Sequence, residues 1–156
     1  MSINHWIVKN LVCTLFLVVG GLNIYAQKDK YLIEAEAFQF KGKWSTDRSA
    51  DCMGSAMLRL NGGGSLDEQF DALTVVNIME EGDYNVWVRS ADYDKLPGTR
   101  LFRLSVDEKP MKESGKHGKV GFYWENAGCV QLAKKQVLLR LHDTKRNFGR
   151  CDAILL

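Results

Sequence analysis

The feature that most constrains this chain is an apolar alternation of period two that recurs along its length. Tyr84, Val86 and Val88 alternate with Asn85, Trp87 and Arg89; Phe102, Leu104 and Val106 alternate with Arg103 and Ser105; Val137, Leu139 and Leu141 alternate with Leu138, Arg140 and His142. Successive side chains of a strand point to opposite faces, so the pattern builds ribbons with one face buried and one wet. Further strands are predicted at Tyr31–Ala37, Ala56–Leu60, Leu73–Ile78, Gly128–Leu132 and Ala153–Leu156. Turn signals separate them: Glu81-Gly82-Asp83, Leu96-Pro97-Gly98, Asp107–Pro110, the Gly62–Gly64 triplet and the Gly115–Gly121 stretch. No window of twelve or more residues holds a helical apolar stripe. About eight short antiparallel strands therefore predict an all-β chain folded as a β-sandwich.

Residues 1–26 read as an address. Lys9 precedes the apolar run Leu11–Val19, and Ile24-Tyr25-Ala26 gives a small-residue exit. The run is about half of the roughly 20 residues a membrane span requires, so a cleaved signal peptide is expected, with 27–156 as one mature domain. Export to the periplasm or the outer cell surface follows, with no membrane span in the mature chain. Lys+Arg total 21 against 19 Asp+Glu, a formal charge of +2, without the clustered basic excess that nucleic-acid binding needs. The mature cysteines are Cys52, Cys129 and Cys151, an odd set and not a disulfide framework. Cys129–Cys151 is the better candidate pair; the alternative is three small buried thiols.

Motifs for catalysis are missing. There is no G-x-S-x-G elbow and no G-x-G-x-x-G opening a helix. The mature chain holds only His117 and His142, in separate segments, and His142 falls on the outward side of its strand as a surface residue. A non-catalytic role is the expectation, with a small hydrolase as the weaker alternative.

The order of several short motifs is informative. Ile33-Glu34-Ala35-Glu36-Ala37 opens the mature chain, Met53–Leu58 follows, Gly82-Asp83-Tyr84-Asn85-Val86-Trp87-Val88-Arg89 lies mid-chain, and Cys151-Asp152-Ala153-Ile154-Leu155 closes it. This resembles carbohydrate-binding modules of the family 6 and family 35 type, which are galactose-binding-like jelly rolls. The stretches Trp124–Gly128 and Leu141–Ile154 are similar, more narrowly, to an accessory module that precedes secreted FAD-dependent oxidoreductases and polysaccharide-acting enzymes. The resemblance implies a jelly-roll sandwich that binds a polysaccharide or oligosaccharide. It also implies a second reading, an accessory domain that braces a catalytic partner and is truncated at Leu156.

Two sites follow from it. Glu34 and Glu36, two apart on a predicted strand, project their carboxylates from one face, and like charges side by side call for a cation or a basic partner. The resemblance adds Asp152 from the last strand and makes the ion a structural Ca²⁺, which suits hard oxygen donors. The alternative is a solvated acidic edge paired with Arg150. For the glycan surface, the expected contacts are Trp44, Tyr93, Arg100, Tyr123 and Trp124, since sugars stack on aromatic rings and give their hydroxyls to polar side chains. Phe148 is a further loop aromatic, and Trp87 lies outward on its strand.

Overall fold

The computed structural model describes residues 30–61, 70–144 and 148–156. The expected signal peptide and the Gly62–Gly64 turn lie outside the described residues. Ten strands appear among those described: β1 (Leu32–Glu34), β2 (Ser45–Arg48), β3 (Ala56–Arg59), β4 (Ala72–Asn77), β5 (Gly82–Ala91), β6 (Phe102–Val106), β7 (Lys109–Ser114), β8 (Phe122–Leu132), β9 (Gln136–Asp143) and β10 (Arg150–Leu155). They form two antiparallel sheets, as a β-sandwich requires. One runs β2-β3-β10-β5-β8 with β1 also on β10; the other runs β4-β9-β6-β7.

The first and last strands lie side by side. Leu32 is opposite Leu155 and Glu34 opposite Ala153, and Tyr31 and Leu156 exchange backbone hydrogen bonds. β10 gives its other edge to β5, while β3 continues the first edge at Arg150 and Cys151. The core fills the space between the sheets. Val86 and Val88 from one sheet meet Leu104, Val106, Leu139 and Leu141 from the other, all fully buried. These are the inward members of the three alternations. Burying each contributes about 1.5–3 kcal/mol.

Two strands escape the sequence pattern. β2 reads Ser-Thr-Asp-Arg and lies at a sheet edge. β7 reads Lys-Pro-Met-Lys-Glu-Ser and forms the edge of the other sheet. Edge strands keep one side in water and tolerate charge and proline. β8 also starts six residues before the predicted Gly128. A register shift opposite Val86 and Trp87 interrupts its alternation, as an extra bulge residue does.

One expectation is corrected, and the choice left open for the cysteines is decided. The predicted strand Tyr31–Ala37 ends at Glu34, and Ala35–Ala37 form a 3₁₀ turn. Cys129 and Cys151 are not bonded; they and Cys52 are free thiols. Cys129 lies opposite Asn85 and Cys151 opposite Ser90 on the intervening β5. Five residues of strand separate those levels, about 16 Å, and Cys151 is buried where Cys129 is exposed. No helix among the described residues is long and apolar enough to cross a membrane.

Candidate functional site

One end of the sandwich gathers the loops after β5, between β7 and β8, and before β10. Asp92, the first residue past β5, organises two of them. It is 2% exposed, and its carboxylate accepts hydrogen bonds from the Gly98 amide at 3.0 Å and the Gly118 amide at 2.8 Å. Glu125 does the same work one strand over, accepting from Ser90 Oγ and from the Gly115 amide. Asp92 follows the end of β5 and Glu125 lies within β8 opposite Val88, and both face loop amides, where a donor left alone is costly.

The loop held by Asp92 carries Tyr93 and Arg100. A cleft of about 210 Å³ opens there, lined by Tyr93, Thr99, Arg100, Phe148 and Arg150. Tyr93 and Phe148 are 39% and 48% exposed, so two aromatic rings border a small hollow. Arg100 donates to the Asp92 carbonyl at 2.7 Å, and its guanidinium stands 5.6 Å from the Tyr93 ring centre. Burial pushes the Arg100 pKa down, against the opposing pull of Asp92, Tyr93 and Asp94. Burial lowers Arg150 as well, and the charges of Arg100 and Arg59 lower it further. Arg150 Nε is buried without a hydrogen-bond partner. Two guanidiniums thus share the cleft, one of them with an unused donor.

The other expected contacts go elsewhere. Trp44 is 4% exposed and packs edge-on against Phe102, with ring centres 5.6 Å apart. Gly149 closes over it, near enough that a Cβ there would stand 3.1 Å from the indole. Trp44 is therefore a core residue and not a ligand platform. Tyr123 leans on His117, ring centres 5.0 Å apart, with Lys119 Nζ 4.8 Å from its ring. Trp124 stands on β8 opposite Arg89, exposed on the outer face of the six-stranded sheet with Trp87. The sequence reasoning missed Asp92, Thr99 and the role of Arg150. An acid directly after a strand and before a Pro-Gly loop is the signal that would have found Asp92.

The acidic site forms by a different route from the one expected. The 3₁₀ turn, not a strand, swings Glu36 back beside Glu34. Both carboxylates lie over Gly54: a Cβ there would stand 2.5 Å from Glu36 Oε1 and 2.9 Å from Glu34 Oε1. Gly54 has φ +61°, so glycine serves both the turn and the space. Burial raises the Glu36 pKa, and the charges of Glu34 and Asp152 raise it further. Glu36 Oε2 is buried without a hydrogen-bond partner. An acid pair with an orphaned oxygen over a glycine hollow fits a hard cation. Asp152, fully buried, pairs with Arg89 and accepts from the Met53 amide at 3.1 Å. Arg89 rather than Arg150 is thus its basic partner. Among the described residues, no group of three or more acids, histidines or cysteines is placed to hold a metal, and Asp152 is paired with Arg89. Burial, and after it the Asp152 charge, push the Cys52 thiol up to about 11, which keeps it protonated at neutral pH.

No protein-family model matches the sequence, and no curated protein matches it. The fold does have solved counterparts. A family 35 carbohydrate binding module from Clostridium thermocellum superposes with a TM-score of 0.63 at 16% identity, over 81% of this chain and 96% of that one. The CBM35 from Cellvibrio japonicus Abf62 gives 0.58 at 12% identity, over 81% and 91%. The Podospora anserina GH26-CBM35 β-(1,4)-mannanase gives 0.65 at 15% identity over 83% of this chain. The chain spans 27% of that enzyme's length. The chain shares its two-sheet fold with these family 35 carbohydrate-binding modules.

Proposed function

We propose that this chain is an exported glycan-docking module that binds a polysaccharide or oligosaccharide in the cleft between Tyr93 and Phe148. The cleft itself carries the reading: two exposed rings offer faces for sugar C–H groups, and Arg100 and Arg150 offer donors for hydroxyls or an acidic substituent. Nothing in this cleft is arranged to break a bond. Docking is reversible, and its use is to hold a partner enzyme near its substrate at high effective concentration. The kinship in fold with family 35 modules supports this.

A structural Ca²⁺ belongs to the same proposal. Glu34 and Glu36 would hold it, with Asp152 adding negative charge from β10. When bound, the ion supplies charge neutralisation for acids that otherwise repel each other. The chain's own residues fix the 3₁₀ turn and the Gly54 hollow that bring the acids together.

A second reading is supported by the mannanase match, in which the shared fold is 27% of a larger enzyme. The chain then serves as an accessory domain beside a catalytic partner. A glycan array probed with the folded protein separates the two. Binding that disappears in Tyr93→Ala and Phe148→Ala supports docking; no binding by an intact, calcium-supplemented protein leaves the accessory role.

A further inference from the structure

The outer face of the four-stranded sheet carries a side-chain row that the docking function does not use. β4, β9 and β6 are neighbours, and each contributes one member. Ala72 is opposite Leu141, so Asp71 comes level with His142. On the other side Arg103 is opposite His142 and Ser105 opposite Arg140, which puts Ser105 diagonal to His142, within reach across an antiparallel pair. The contacts are short. Ser105 Oγ lies 2.7 Å from His142 Nε2, and His142 Nδ1 lies 2.8 Å from Asp71 Oδ2. The latter is a close approach and not an aligned hydrogen bond, since Asp71 Oδ2 has no hydrogen-bond partner; Arg140 Nη1 also approaches it, at 3.6 Å. Asp71 and Ser105 are about 95% buried, at 4% and 5% exposure.

We propose that Ser105, His142 and Asp71 act as a relay that hydrolyses small acyl esters at this face. A hydroxyl, an imidazole in contact with it and a carboxylate beside the far ring nitrogen are the parts of an activated serine nucleophile, recognised by geometry rather than by position in sequence. The serine opens onto a cleft of about 390 Å³ that Arg103, Glu108, Glu113 and His142 also line. An adjoining hollow is lined by Ser105, Glu108, Arg140 and His142. Arg103 donates from Nη2 to Glu113 at 3.5 Å, while its Nε is buried with no acceptor, so the cleft holds an unused donor that a developing oxyanion could take. The polar lining and small size suit a short acyl group on an alcohol.

The chemistry balances with water alone. Ser105 Oγ bonds to the acyl carbon while its proton passes to His142 Nε2. The carbon–oxygen bond to the alcohol breaks, and the alcohol leaves with that proton. Water then bonds to the acyl carbon, giving a proton to Nε2. The bond to Oγ breaks, Oγ takes the proton back, and a carboxylic acid departs. Asp71 is a positioning residue beside the far ring nitrogen, and its carboxylate offsets the positive charge the ring gains when it takes the proton. Arg103, Arg140, Glu108, Glu113 and Asp143 are the other charged groups about the imidazole.

The test uses the full chain, a fluorophosphonate probe and peptide mass spectrometry. The expected result is one adduct, on Ser105, faster as the pH rises, because the base that takes its proton must itself be unprotonated. His142→Gln keeps a polar contact to Ser105 without a usable base and slows labelling on the order of a hundredfold. Asp71→Asn slows it and moves the pH profile to lower values, a shift that a merely structural residue would not produce. Hydrolysis of p-nitrophenyl acetate falls in parallel in Ser105→Ala. The proposal is overturned if folded wild-type protein takes no label on Ser105, if several serines label equally, or if His142→Gln labels as fast as the wild type.

Discussion

Asp92 Oδ2 accepts the Gly118 amide at 2.8 Å, and through that bond the loop between β7 and β8 is tied to the loop that carries Tyr93. The same carboxylate holds Gly98. The cleft proposed to take glycan is therefore built on a buried carboxyl group and not on the loops' own propensities. Asp92→Ala leaves two amides unpaired and costs about 2–4 kcal/mol at 1–3 kcal/mol for each buried donor, partly offset by water entry. Thermal unfolding reads the loss, and glycan affinity falls with it.

Tyr93→Ala and Phe148→Ala are each expected to weaken glycan binding by about three- to tenfold, from 0.5–1.5 kcal/mol of ring contact. Neither should move the melting temperature as far as a core substitution would, because Tyr93 and Phe148 are 39% and 48% exposed. Trp44→Ala should do the opposite. It removes a buried indole against Phe102 and costs about 3–5 kcal/mol of stability. Calorimetric titration and thermal melts of the three variants separate the classes.

Arg150→Gln removes one of two neighbouring guanidiniums. If the cleft reads an acidic sugar, affinity for a uronate-bearing oligosaccharide drops and loses its salt dependence, while a neutral oligosaccharide binds as before. Equal losses on both ligands would assign Arg150 to packing alone.

Calcium at a hundredfold excess over its dissociation constant should stabilise the fold by about 2.7 kcal/mol, read as a rise in melting temperature that a chelator reverses. Glu34→Gln with Glu36→Gln abolishes the rise. Gly54→Ala should abolish it too, since its Cβ would enter the space held by both carboxylates.

Acid stability depends in part on Asp107. Burial alone would raise its pKa, but hydrogen bonds from Lys135 and the Leu138 amide outweigh that and hold it below its ordinary value. A depressed carboxyl stabilises the fold above the unfolded-state pKa of about 3.9 and loses that contribution as pH falls through the folded value. The pair is partly exposed, 53% for the Lys135 side chain and 31% for Asp107, so the effect is below about 1 kcal/mol. Lys135→Met should flatten the stability curve below about pH 4, measured by denaturant melts.

The strands whose inward face is uniformly apolar were legible from the residues: β6 matches its predicted bounds and β5 and β9 differ by a few residues. β2 and β7 were not, because an edge strand hides no apolar face of its own. The meeting of Glu34 with Glu36 was legible, but its cause was not. A strand and a 3₁₀ turn both bring residues two apart to one side here, and only the packing of Gly54 distinguishes them. Trp44 misled because a lysine-rich, glycine-preceded stretch reads as a loop, while Phe102 and Gly149, which enclose it, come from distant sequence. The Ser105–His142–Asp71 row was invisible for the same reason: it exists only once three strands are in register.

β10 stands between β5 on one side and β1 with β3 on the other, so three strands depend on one late segment. The six-stranded sheet cannot propagate inward from its early strands; it must wait for residues 150–155 and then close around them. Such non-local closure makes folding slow relative to helical chains of this size. It also makes loss of residues 150–155 more than the trimming of an edge: β1 loses its strand partner, and the β2-β3 pair parts from the β5-β8 pair.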